Sequence, residues 1–187
     1  MQRSVLSVVL ISLLLIAGCG SQKGRTGPEA SVAPSVTGTS EATKSPEPAQ
    51  KAEAKDFSLK DLKGSTVTLS EFKGKKVVLL VFWATWCSFC KEEVPSLISL
   101  SESLKDRDFQ ILAVSVKENE KIVSAYVEKN KIPYTVLLDP DGKMAGDDYG
   151  VIGVPTNVII DKSGRIEYSA NELPKNPKEY IESLLAK

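Results

Sequence analysis

Two cysteines separated by two residues, in Cys87-Ser88-Phe89-Cys90, are the side chains of this sequence best placed to do chemistry. They stand where a continuous apolar run, Val77–Trp83, hands over to a segment with helical spacing. A helix N-terminus offers unpaired N–H groups and a partial positive charge, and both stabilise a thiolate. Cys87, the first of the pair, is therefore expected to be the more exposed sulfur and the nucleophile. Its attack on a disulfide gives a mixed disulfide that Cys90, one helical turn on, can resolve. Two other uses of such a pair are copper carriage by two thiols and a purely structural bridge. So small a loop yields only about 2 kcal/mol in the second case. Haem c attachment is excluded, because Lys91 stands where that chemistry needs a histidine.

The inventory narrows the field further. The 187 residues include three cysteines and no histidine. Neither a Ser-His-Asp nor a Cys-His system can be assembled, and an ordinary Cys/His zinc site lacks ligands. No cofactor and no metal are expected. With 24 basic and 24 acidic residues the net charge is zero, so no overall field recruits nucleic acid or an anionic membrane.

A cysteine pair of this kind needs a strand before it and a helix behind it. Val77–Trp83 is apolar throughout rather than alternating, as in a strand covered on both faces. Within 92–104, apolar residues at 94, 97, 98, 100 and 104 predict a helix. Further strands are predicted at 65–69, 109–116 and 135–138, and a polar helix at 118–129. Residues 156–160 and 165–169 read as a hairpin across the turn 161–164. Asn176 and Pro177 read as the N-cap and first residue of a last helix reaching Ala186. Strands alternating with helices, then a hairpin and a helix, predict an α/β sheet covered on both faces.

Upstream, Arg3 precedes a twelve-residue run, Val5 to Ile16, that is apolar apart from Ser7 and Ser12. That length suits the core of an export signal and falls short of a membrane-spanning helix. Leu15-Ile16-Ala17-Gly18-Cys19 resembles the bacterial lipobox, which implies cleavage before Cys19 and lipidation of its sulfur. The other two cysteines then pair evenly. From Gly20 to Ala54 the chain is rich in Ser, Thr, Pro, Ala, Gly, Glu and Lys, a composition that predicts a disordered tether. The expected organisation is a signal at 1–18, a lipidated cysteine and tether at 19–54, and a single domain at 55–187.

The segment Phe82-Trp83-Ala84-Thr85-Trp86-Cys87-Ser88-Phe89-Cys90 resembles the active-site region of thioredoxin-like proteins. Asp56-Phe57-Ser58-Leu59, Leu69-Ser70-Glu71-Phe72-Lys73-Gly74 and Gly153-Val154-Pro155-Thr156 narrow this to the membrane-anchored TlpA/ResA type. The resemblance implies a thioredoxin-like fold: a central mixed sheet with helices on both faces, an N-terminal hairpin, and a strand–helix insertion at roughly 109–129. It implies a cis Pro155 beside the cysteines, with Val154, through backbone hydrogen bonds, and Thr156 both binding the substrate. Trp86, Ser88 and Phe89 are implied to meet the partner, and Glu93 to move protons for Cys90. Two departures stand out. Thioredoxin has a buried aspartate six residues before its first cysteine, where this chain has Val81, and relatives carry proline where this chain has Phe89.

By the same resemblance the expected role is extracytoplasmic reduction of protein disulfides, for example those of apocytochrome c, with electrons from a transmembrane thiol reductase. An oxidase or isomerase of exported proteins, or a copper-binding module, are the alternatives. The Pro-x-x-x-Thr-x-x-Cys pattern of peroxiredoxins is missing around Cys87, which argues against a peroxidase.

Overall fold

The computed structural model describes residues 52–187. The signal, Cys19 and the tether up to residue 51 lie outside the described residues. A hairpin of β1 (Ser58–Asp61) and β2 (Thr66–Thr68) opens the domain, followed by a 3-10 turn at Leu69–Phe72. Then come β3 (Val77–Trp83), α1 (Ser88–Ser103), β4 (Phe109–Val116), α2 (Glu120–Asn130) and β5 (Thr135–Asp139). A π-helical turn at Met144–Asp148, β6 (Thr156–Ile160), β7 (Ile166–Ala170) and α3 (Pro177–Leu185) complete it. The seven strands form one sheet in the order β2-β1-β5-β4-β3-β6-β7. β3, β4 and β5 run parallel and the outer pairings are antiparallel, so the sheet is mixed.

Two successive crossovers, β3-α1-β4 and β4-α2-β5, step across the sheet in the same direction. Right-handed connections therefore place both helices on the same face. Val77, Leu79, Val81 and Trp83 point to that face and pack with Leu97 and Leu100 of α1, Val123 of α2, and Ile181 and Leu184 of α3. Val78, Leu80 and Phe82 point the other way, against Met144 and Ala145 of the π-helical turn and Phe57 ahead of β1. Both faces carry helical segments, unequally, and β3 is buried along its whole length. This explains its unbroken apolar sequence.

The differences from expectation are local. The predicted strand 65–69 stops at Thr68, because Leu69 turns inward to begin the 3-10 turn. The polar helix starts after Asn119, whose side chain accepts the Ile122 N–H at 3.1 Å, and so leaves Glu118 outside it. Asn176 does stand at the N-cap of α3, but its side chain makes no capping bond. Its backbone (φ −124°, ψ 78°) departs from the extended geometry of Asn119 (φ −83°, ψ 151°). The π-helical turn escapes periodicity altogether. It is fixed from outside, by the Asp139 carboxylate accepting the Ala145 N–H at 2.9 Å.

The folded unit also reaches further upstream than residue 55. Glu53 pairs with Arg165 as an isolated antiparallel bridge, with Ala54 N–H donating to Gly164 O and Ile166 N–H to Ala52 O, each at 2.9 Å.

Candidate active site

β3 delivers the chain to Trp83, and a short loop carries it to Cys87, the N-cap of α1. Cys87 and Cys90 are joined by a disulfide, with their Cα atoms 5.3 Å apart. The Cys90 N–H donates to Cys87 Sγ at 3.1 Å. One of the helix's orphan donors thus already points at Cys87 Sγ, where such a donor stabilises a thiolate. Cys87 is 5% exposed and Cys90 3%, so the expected difference in exposure is slight in this bridged state. What separates them is their surroundings.

Cys87 faces the loop ahead of β6. The Val154–Pro155 peptide is cis, as the resemblance implied. The Val154 carbonyl oxygen lies 3.5 Å from Cys87 Sγ. That carbonyl is therefore placed to accept from the Cys87 thiol once the bridge is open. The Thr156 hydroxyl is used internally, donating to Gly153 O at 2.7 Å, so it braces this loop. Around the bridge the surface is apolar: Trp86 is 68% exposed and Phe89 71%, with Ser88 exposed between them. Ile152 is also fully exposed, just ahead of Gly153, and nothing in its sequence pattern marks it. Beside the bridge runs a groove lined by Phe89, Glu92, Glu93, Val154, Pro155 and Leu173. Trp83, by contrast, is core.

Cys90 faces inward. It shares with Glu93 a cavity of about 10 Å³ walled by Val81, Trp83, Leu97 and Tyr134, a space of one water molecule. Val81 is buried here where thioredoxin carries its aspartate, so Glu93 is the carboxyl group on this side. Burial pushes the Glu93 carboxyl above the ordinary carboxylate range. Hydrogen bonds from Asn157 and the Leu173 N–H oppose that, and nearby Glu172 adds to it. The phenol of Tyr134 is likewise pushed up, by burial first and then by Tyr126 and Glu93.

Two site residues were invisible in the sequence. Asn157, fully buried on β6, donates through Nδ2 to both Glu93 oxygens, at 3.2 and 3.3 Å. Its only signal is a polar residue opening the apolar run Val158 to Ile160. Glu118 accepts from the Thr85 N–H at 2.8 Å, from the Thr85 hydroxyl and from Ser115 Oγ at 3.0 Å. Its carboxylate clamps the loop two residues ahead of Cys87 to the end of β4.

This geometry has known counterparts. The sequence pattern of the AhpC/TSA family matches residues 51–169. Thiol-disulfide oxidoreductase ResA from Bacillus thuringiensis is 33% identical over 134 residues, 71% of this chain and 76% of that protein. The chain belongs to this family, in its ResA-type thioredoxin-like branch. The thioredoxin-like protein YneN of Bacillus subtilis is 40% identical over 118 residues, 62% of this chain and 67% of that protein. Among solved structures, the thioredoxin domain of a thiol-disulfide oxidoreductase from Bacteroides vulgatus matches with a TM-score of 0.66 at 29% identity. The match covers 74% of this chain and 99% of that domain. The ResA-type branch accounts for the Cys87–Cys90 pair and the mixed sheet together, and this chain is a thiol–disulfide oxidoreductase.

Proposed function

We propose that this protein is an extracytoplasmic reductant of protein disulfides, held at a bacterial membrane by a lipid on Cys19. In the reduced form, the Cys87 thiolate attacks a partner's disulfide and displaces one partner sulfur as a thiolate. Glu93 takes the Cys90 proton, directly or through a water in the cavity between them. Cys90 then attacks Cys87 Sγ and releases the second partner thiolate, leaving the Cys87–Cys90 bridge. Two electrons from a transmembrane thiol reductase restore the dithiol. Trp86, Ser88, Phe89, Val154, Pro155 and Thr156 frame the docking site, where exported proteins such as apocytochrome c present their cysteines.

The observation carrying this reading is the asymmetry of the bridge: one sulfur against an open apolar rim, the other against a half-buried carboxyl group. The tether expected between Cys19 and the domain would give it a reach of about 30–35 Å for 35 residues.

The test is the reduction potential, followed by tryptophan fluorescence in thiol redox buffers. A value near or below about −220 mV fits a dedicated reductant. One nearer about −120 mV overturns that role in favour of disulfide formation, and the absence of a reversible two-electron transition favours a dithiol-binding module. Incorporation of labelled palmitate, abolished by Cys19→Ala, tests the anchor.

A further inference from the structure

Asn157 is the second residue of β6, on the strand that follows Pro155, whereas Glu93 lies one turn beyond Cys90 on α1. Their hydrogen bonds span 64 positions of sequence and tie the motif helix to the cis-proline strand. The amide is fully buried, yet only half of it is engaged. Nδ2 donates to both carboxylate oxygens, while the buried Oδ1 accepts nothing among the described residues. A buried amide with an idle acceptor is a poor way to stabilise a strand, because an unpaired acceptor carries an uncompensated desolvation cost. Its neighbours Val158, Ile159 and Ile160 show what the strand itself favours. What the amide supplies, and an apolar residue would not, is a donor aimed at Glu93.

We propose that Asn157 is a positioning residue for the exchange reaction: it holds the Glu93 carboxylate beside Cys90 and fixes the pH at which that carboxyl group takes up a proton. This rests on the role given to Glu93 above and extends it. Several groups lie near Glu93. Cys90 and Glu92 share its helix, the Leu173 N–H and Glu172 approach from beyond β7, Tyr168 from β7, and Tyr134 from ahead of β5. The Glu172 carboxylate favours the protonated acid, whereas Glu92, the next residue back on the helix, points to a different side. Among the described residues, Asn157 and the Leu173 N–H are the groups that donate hydrogen bonds favouring the ion, so removing the amide leaves one donor against burial and like charge.

The experiment is a carbon-13 carboxyl titration of the full-length disulfide form, with the Glu93 resonance identified as the one missing from Glu93→Gln. Asn157→Val is expected to raise the Glu93 midpoint by about one pH unit while the chain stays folded by circular dichroism. Asn157→Ser, which keeps one hydroxyl donor, is expected to raise it less. It decides the matter if the valine variant does not fold. An unmoved midpoint in the folded variant overturns the proposal. The pH profile of disulfide exchange, measured in parallel, separates the two readings. If the midpoint moves and the profile does not follow, Asn157 still governs Glu93, and it is the role of Glu93 in exchange that fails.

Discussion

The Cys87 and Cys90 sides of one covalent bridge differ more than the sulfurs themselves do. On the first side, Trp86, Phe89 and, two residues ahead of Val154, Ile152 stand out into solvent, and the hydrogen-bond partners of the Cys87 sulfur among the described residues are the Val154 carbonyl and the Cys90 N–H. On the second, Glu93, Asn157 and Tyr134 gather within the protein, and burial raises both the Glu93 carboxyl and the Tyr134 phenol above their ordinary ranges. Solvent exposure of the sulfurs, 5% against 3%, would not have separated the two roles. The neighbours do, and the proposed roles follow them: partner recognition on the open apolar rim, proton handling at the enclosed carboxyl group.

Each prediction can break or sharpen that division. Cys87→Ser is expected to abolish turnover of a disulfide-bonded peptide, whereas Cys90→Ser should accumulate a mixed disulfide visible by mass spectrometry. If Cys87→Ser accumulates it instead, the two sides are assigned backwards. Glu93→Gln should lower the exchange rate by roughly 100-fold and remove the inflection that lies above the ordinary carboxylate range. Should its effect fall on KM alone, the inner side would be a binding surface too. Trp86→Ala or Phe89→Ala should cost about tenfold in kcat/KM through KM. A shifted pH profile in either variant would show that the rim is coupled to the carboxyl group.

The smallest effect is on stability. The Glu93 carboxyl is raised in the folded protein, so its contribution is full below the unfolded value and is lost as pH rises through the folded one. Near neutral pH, Glu93→Gln should therefore raise the melting temperature, on the order of 2 °C, and flatten its decline between mildly acidic and neutral pH. A lower melting temperature would mean that ionised Glu93 stabilises the fold.

The parts of this site that lie close together in sequence were legible before the structure. β3, β4 and β6 match their predicted bounds residue for residue, because strands buried on both faces are apolar along most of their length, unbroken in β3 and interrupted by Gln110 and Ser115 in β4 and by Thr156 and Asn157 at the start of β6. The cysteine pair announces itself by spacing, and Glu93 follows within one helical turn. The supports from distant segments were not legible. Asn157 meets Glu93 across 64 positions and Glu118 meets Thr85 across 33. Ile152 matters only because the cis-proline loop lies beside α1. No local periodicity encodes such meetings; they come from sheet order, which brings β6 to one side of β3 and β4 to the other.

The short pairing of residues 52–54 with the start of β7 has a mechanical side. It grips the chain where Ile160 meets Ile166, at the far end of β6, about 15 Å from Pro155 at strand rise. A pull on the chain upstream would load this antiparallel bridge first. Its two hydrogen bonds, Ala54 to Gly164 and Ile166 to Ala52, would open before tension reached the sheet. The bridge would then serve as strain relief. Pulling through the N-terminus in an optical trap should show a low-force step that leaves disulfide exchange intact.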